Sequence, residues 1–339
     1  MSTPQKFGPS AGDRVRDAIY RYGLIAVLIA LIVYFTTTLP HFGTLANALI
    51  ILQGVSFTAI IAMGVTISLT VDGFDLSVGS IVSFVVMLTA AAQVYWNLGP
   101  VLAIVIGLAA GAFVGLINGL LIVVARIPDL LATLGTMFVF AGLALVLTQG
   151  QSVATGVSYN GSPATGMFDP SFLWLGRGDV FGVPFSIIVM VIVGVGVTVF
   201  LSRSRVGRVL GAIGGNPEAS RLAGVRVGKY KMLAYVLSGT LAAVGGILLS
   251  ARLGRGDVGV GGDFLLETVA AALIGYAVLG ANKPNGLGTL FGAIFVAVLL
   301  NGLTQKNVPY YLSDFIKGAL LVAALVLSFS SLFRRKDVE

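Results

Sequence analysis

The chain has no cysteine and one histidine among 339 residues, which excludes disulfides, thiolate chemistry and Cys- or His-rich metal centres. Charge is also scarce. Only 10% of the residues are charged, where a soluble domain carries roughly a quarter, so too few remain to cover a water-facing surface. No glycine-rich loop of the GxxxxGK(S/T) type occurs, so the chain is not expected to bind ATP itself. Nothing resembles a Ser/His/Asp triad, a zinc-protease helix or a base-flipping deaminase, and catalysis by this chain alone is not expected. The first apolar run ends Thr38-Leu39-Pro40 without a small-x-small cleavage pattern, and reads as an uncleaved span.

What is present is apolar. Hydrophobic residues make up 57% of the chain and the mean hydropathy is +0.98. A helical span needs ~20 apolar residues to cross ~30 Å of hydrocarbon. On that basis ten stretches qualify: 22–39, 46–70, 77–95, 100–124, 130–149, 184–201, 232–251, 264–280, 287–303 and 309–331. The predicted fold is all-α, a polytopic membrane protein of about ten transmembrane helices. A single membrane domain over 22–331 lies between an N-terminal tail, 1–21, and a C-terminal tail, 332–339. With both termini in the cytoplasm, 16 of the 21 Lys and Arg fall on the inner side, as the positive-inside rule requires. The net charge of +7 gathers in loops beside spans, not along one face, which argues against nucleic acid. The stretch 46–70 is overlong and holds Gln53, Gly54, Ser56 and Gly64, so a tilted, broken or partly re-entrant span is expected there.

Gly107, Gly111, Gly115 and Gly119 recur every four residues in the fourth stretch and form one groove for close helix packing. Leu116-Ile117-Asn118-Gly119-Leu120 returns as Leu299-Leu300-Asn301-Gly302-Leu303, and Gly73-Phe74-Asp75-Leu76 is echoed by Gly261-Gly262-Asp263-Phe264. In the expected topology the echoed members lie on opposite sides, which suggests an inverted repeat of spans two to five against seven to ten.

Ionisable residues inside a span call for a partner or a function. Asp314 and Lys317, three apart on one helix, are expected to neutralise each other. Glu267, placed within a turn of the start of the eighth span, reads as a snorkelling or capping residue. Asp75, in the polar break 71–79, can cap the third span or line a pathway. Gln53, Asp75, Ser77, Asn118 and Asn301 are the candidate pathway residues. No acid is central enough for ion coupling, so the energy source is expected in another polypeptide. The alternative is a self-sufficient secondary carrier or facilitator; a membrane-bound lipid enzyme ranks below it, because only Asp72 and Asp75 are clustered.

The segment 202–232 is a polar island with seven cations and one acid, Glu218. Asn216 can cap a short helix, Pro217 suits its first position, Glu218 its first turn, and Gly224 its end. A capped helix on a basic loop at a membrane surface is suited to being gripped by another protein.

Three ordered motifs carry a resemblance. Gly73-Phe74-Asp75-Leu76-Ser77-Val78-Gly79-Ser80 resembles the GIDLSVGS signature of permease subunits from ribose-type bacterial ABC sugar importers. The runs 119–128 with 132–137, and 215–225, resemble the same family, over about residues 45–330. The resemblance implies an inner-membrane permease that imports a sugar or related neutral polyhydroxylated solute by alternating access. It implies an identical or sister permease as second copy, ATPase subunits (often a double-domain chain) that bind the ATP, and a periplasmic binding protein meeting 150–183 and 252–263. It further implies that Glu218, Ala219 and Gly224 belong to a cytoplasmic coupling helix; with the capping Asn216 and Pro217, and with Arg221, they make up the expected ATPase-coupling site. Ser220 stands where that pattern commonly has Ala. The departures at Asp72 and in 280–286 bear on the solute carried, not on the transporter class.

Overall fold

The computed structural model describes residues 11–159, 161–278, 283–312 and 315–324. In chain order the helices are α1 (Ala11–Thr38), α2 (Leu45–Leu69), α3 (Val78–Val94), α4 (Pro100–Val123), α5 (Asp129–Thr148), α6 (Pro170–Arg177), α7 (Phe185–Arg203), α8 (Arg205–Gly215), α9 (Pro217–Leu222), α10 (Val227–Leu253), α11 (Val260–Ala277), α12 (Gly286–Gln305) and α13 (Phe315–Ala324). All except α6, α8 and α9 coincide with the ten apolar stretches. Six of them, α2, α4, α5, α7, α10 and α12, are long and apolar enough to cross a membrane. The tails 1–10 and 332–339, the end of the tenth stretch and residues 279–282 lie outside the described residues.

Local chemistry sets the ends. Thr44 Oγ1 accepts from the Asn47 amide at 3.2 Å to start α2, and Asn285 Oδ1 accepts from the Gly288 amide at 2.6 Å to start α12. Proline opens α4, α6 and α9.

α2 and α10 run through the centre and pack on each other. α10 also packs on α3 and α4, and α2 on α7, α11 and α12. The packing is reciprocal between the two halves: α10 rests on α4 as α2 rests on α12, and α3 on α4 as α11 on α12. The core joins Ile60, Ile61 and Val65 of α2 to Val82 and Val86 of α3 and Ala242, Ala243 and Leu248 of α10. Phe113, Phe138, Val146 and Ile192 point outward as an apolar coat, which suits lipid.

Three expectations are corrected. α2 is one uninterrupted helix, which excludes the broken and re-entrant alternatives for this stretch. Its polar groups face protein, not lipid: Ser56 Oγ donates to the Gln53 carbonyl at 2.7 Å, and Thr66 and Thr289 share a hydroxyl bond of 2.6 Å. Gly64 lets the Ser238 backbone of α10 pass close by. Second, α11 begins at Val260, so Gly261 to Phe264 form its first turn, and Glu267 lies two turns inside the helix. Third, α10 begins at Val227, shortening the polar island.

Small strand pairs join α6 at one end of the bundle. β1 (Val153–Ala154) pairs antiparallel with β6 (Arg255–Gly256), β2 (Ser158–Tyr159) with β3 (Ser162–Pro163), and β4 (Asp179–Val180) with β5 (Val183–Pro184).

Candidate functional site

Two constructions sit at the opposite end of the bundle from α6: an exposed helix and a buried polar clasp. α9 is the exposed one. Asn216 Oδ1 accepts from the Ala219 amide at 2.9 Å, and Pro217 takes the first helical position. The Ser220 hydroxyl donates to the Asn216 carbonyl at 2.9 Å and is buried, so this position faces inward. Gly224, at φ +83°, ends the element in a conformation that disfavours any side chain with a Cβ. Glu218 and Arg221 pair at 2.6 Å on the exposed face, a contact worth little in stability. Leu222 is 84% exposed. A single exposed leucine is ordinary on a protein surface; what sets this one apart is its place at the end of a capped helix beside the exposed Glu218–Arg221 pair.

α8 ties α9 to the bundle. Ser204 Oγ caps it, accepting from the Gly207 amide at 2.8 Å. Leu210 and Ile213 are buried against Met63, Ile67 and Val71 at the end of α2. Gly214 brings the helix backbone against the Thr70 carbonyl, beside the α2–α3 break. A cleft of about 750 Å³ opens between α8 and this break, with Asp72, Arg208, Lys283 and Asn285 on its walls.

The break itself is clasped. Asp75 Oδ1 accepts from the Ser77 amide at 3.0 Å and from the Ser77 hydroxyl at 2.6 Å. Its Oδ2 accepts from Ser238 Oγ of α10 at 2.7 Å. Asn118 Nδ2 of α4 donates to Ser77 Oγ at 2.8 Å, and Thr136 Oγ1 of α5 donates to Asn118 Oδ1 at 2.6 Å. Asp129 Oδ2, at the start of α5, accepts the Phe74 amide at 2.6 Å. All five members of the chain running from Thr136 to Ser238 are buried. Buried polar groups are costly unless satisfied, and here five side chains from four parts of the fold satisfy one another.

Of the candidate pathway residues, Asp75, Ser77 and Asn118 therefore come together, wholly inside protein. Gln53 and Asn301 lie apart from them. Gln53 Nε2 reaches the Gly176 carbonyl of α6 at 3.5 Å, and Asn301 Oδ1 accepts from Gln305 at 2.9 Å. The four glycines of α4 all face α10: Gly107 beside Ile247, Gly111 at the Gly239 carbonyl, Gly115 at Tyr235 and Val236, and Gly119 at Met232. Asp314 lies outside the described residues. Lys317 Nζ stands 2.9 Å from Glu267 Oε1 on α11.

At the α6 end, Asp169 caps the helix, and the Ser171 hydroxyl and then its amide hold the Asp169 carboxyl below the usual carboxylate range. Arg177 donates from Nε and Nη2 to the carbonyls of Arg252 at 2.9 Å and Leu253 at 2.7 Å, fixing α6 to the last turn of α10.

Sequence reasoning missed Ser238, Thr136, Leu222, α6 and α8. α8 had a local signal in Ser204 followed by Val206, Leu210 and Ile213 at helical spacing, masked by Gly207, Gly211, Gly214 and Gly215. Ser238 lies 163 residues from Asp75, and nothing local marks it.

Comparison with known proteins bears on these constructions. Residues 47–325 match the family described as the branched-chain amino acid transport system / permease component. The chain is 34% identical to the ribose import permease protein of Escherichia coli (strain K12), over 90% of this chain and 92% of that one. It is 34% identical to the ribose import permease protein of Bacillus subtilis (strain 168), covering 88% and 90%. With the xylose transport system permease protein of Escherichia coli (strain K12) the identity is 28%, covering 89% and 90%. No solved structure matches significantly. On the length of these matches the chain belongs to the permease-component family of the branched-chain amino acid transport system type.

Proposed function

We propose that this chain is the membrane-spanning subunit of an ATP-driven importer for a ribose- or xylose-like sugar. Its ten spans hold both termini in the cytoplasm, and ATP is bound by partner subunits. α9 is the handle on which those partners act. Leu222 and the Glu218–Arg221 face enter a cleft of the ATPase, α8 carries the displacement to the end of α2, and the Asp75 clasp passes it to α3, α4, α5 and α10 as one unit. A solute-binding protein meets α6 and the strand pairs at the other end, and a second permease copy completes the pathway. Within this scheme Asp75, Ser77 and Asn118 transmit force, because every polar atom they offer is directed at protein.

The bare Leu222 on a capped, buttressed helix carries this reading. Sugar specificity is supported by the ribose and xylose permeases among its relatives. In the test, cells carrying the complete importer receive the chain with Leu222→Glu or Gly224→Trp. Uptake of radiolabelled ribose or xylose is expected to fall at least tenfold, and the ATPase to be lost on co-purification, while the permease still inserts. Wild-type uptake in both variants would contradict the assignment.

A further inference from the structure

Away from the clasp, near the α6 end of the bundle, an ion pair lies between membrane helices. Glu267, two turns into α11, meets Lys317 of the first turn of α13 at 2.9 Å, with their side chains only 19% and 12% exposed. Thr58 of α2 donates to the second carboxylate oxygen at 3.3 Å. Such a pair is costly to place among apolar helices, and packing alone is served as well by hydrophobic residues of similar volume. It adjoins a cavity of about 210 Å³ whose walls include Thr304 and the apolar Leu300, Leu303 and Ile316. That space equals about seven waters at ~30 Å³ each, room for one five- or six-membered sugar ring.

We propose that this cavity is a solute subsite that takes a single sugar ring, gripped through a vicinal diol by Glu267 and Lys317 and steadied by Thr304. The inference rests on the sugar-import reading and deepens it. Its chemistry follows from the pair being closed. A carboxylate accepts and an ammonium donates, and they lie one hydrogen bond apart. Adjacent sugar hydroxyls have nearly the same spacing, so one can donate to Glu267 while its neighbour accepts from Lys317, leaving the pair intact. The apolar walls suit the C–H face of the ring. A free anion or cation gains little, because the pair is already neutral. A zwitterionic amino acid would bring two more charges out of water, a desolvation cost that a neutral diol does not carry. The cavity lies at the ends of α11, α12 and α13 that share a side with α6, so it would receive solute arriving from that face.

The test uses the full chain in lipid nanodiscs and saturation-transfer NMR with D-ribose, D-xylose and L-leucine. Two variants are compared: Glu267→Gln, which removes an acceptor, and Thr304→Trp, which fills the cavity from an exposed position and leaves the ion pair in place. Ribose or xylose signals on wild type are expected, falling at least tenfold in both variants, with none from leucine. A purely structural ion pair would leave Thr304→Trp unchanged. Equal sugar signals in wild type and Thr304→Trp, or no sugar signal on wild type, would overturn the subsite. A leucine signal that ribose cannot displace would overturn the diol assignment. Sugar uptake by cells with the wild-type importer is measured alongside: uptake without a nanodisc signal sinks the subsite alone, and absence of both sinks the sugar-import reading with it.

Discussion

Replacing Ser238 with alanine removes one hydroxyl from α10 and strands Asp75 Oδ2 among buried groups, since Ser238 Oγ is its hydrogen-bond donor at 2.7 Å. Leaving a buried acceptor unsatisfied costs about 1–3 kcal/mol, equivalent to roughly a 5- to 150-fold shift in the folded-to-unfolded ratio. The methyl left behind adds no cavity of consequence, so this range is the whole expected loss. Thr136→Val at the far end of the clasp removes the donor to Asn118 Oδ1 and should cost about 0.5–1.5 kcal/mol as a neutral bond. Because the clasp is continuous from Thr136 through Asn118 and Ser77 to Asp75 and Ser238, the double variant should be non-additive by about 0.5–3 kcal/mol. Asp75→Asn should be milder than Asp75→Ala, because the amide can donate to Ser238 Oγ, which then turns to accept. Steric trapping of the unfolded chain in bicelles gives these energies at equilibrium. If Ser238→Ala lay within about 0.5 kcal/mol of wild type, or the pair were additive within that margin, the clasp would not be a single cooperative unit.

Further outcomes follow from other contacts. Gly115→Leu drives a side chain into the Tyr235 and Val236 backbone of α10 and should cost at least about 1–3 kcal/mol as overpacking, read as a shorter half-life of the folded protein in detergent. Lys317→Met removes the ion-pair partner of Glu267 and should destabilise by about 3–5 kcal/mol, with the double variant Glu267→Gln, Lys317→Met recovering much of it; steric trapping reads both. Arg177→Ala frees α6 from the Arg252 and Leu253 carbonyls. Sugar uptake should fall while the ATPase still co-purifies, which separates the two ends of the molecule.

How far the sequence disclosed this design depends on the range of each signal. The apolar stretches were legible because a span must be continuous in sequence, and a helix lies on each of them. α9 was legible because capping is local: Asn216, Pro217 and Gly224 announce it within nine residues. The polar groups of α2 misled, since Gln53, Ser56 and Gly64 look alike whether they break a span in lipid or face a neighbouring helix. Burial of α2 beneath α10 and α12 decides between these, and that is a tertiary fact. Glu267 was misplaced because glycines at 259, 261 and 262 hid the first turn of α11. The clasp was half visible: Asp75, Ser77 and Asn118 stood out as polar residues in apolar surroundings, whereas Ser238 and Thr136 are ordinary small residues until the fold brings them within reach.

The seam between α4 and α10 has one more implication. Where Gly111 meets Gly239 and Gly115 meets Tyr235, backbone lies against backbone with no side chain between them to change rotamer. Such a joint has no soft layer that could absorb shear. Any reorientation of the bundle must therefore carry these two helices together as a stiff plank, and the yielding has to occur at its margins, where longer side chains such as Ile247 and Met232 meet the seam.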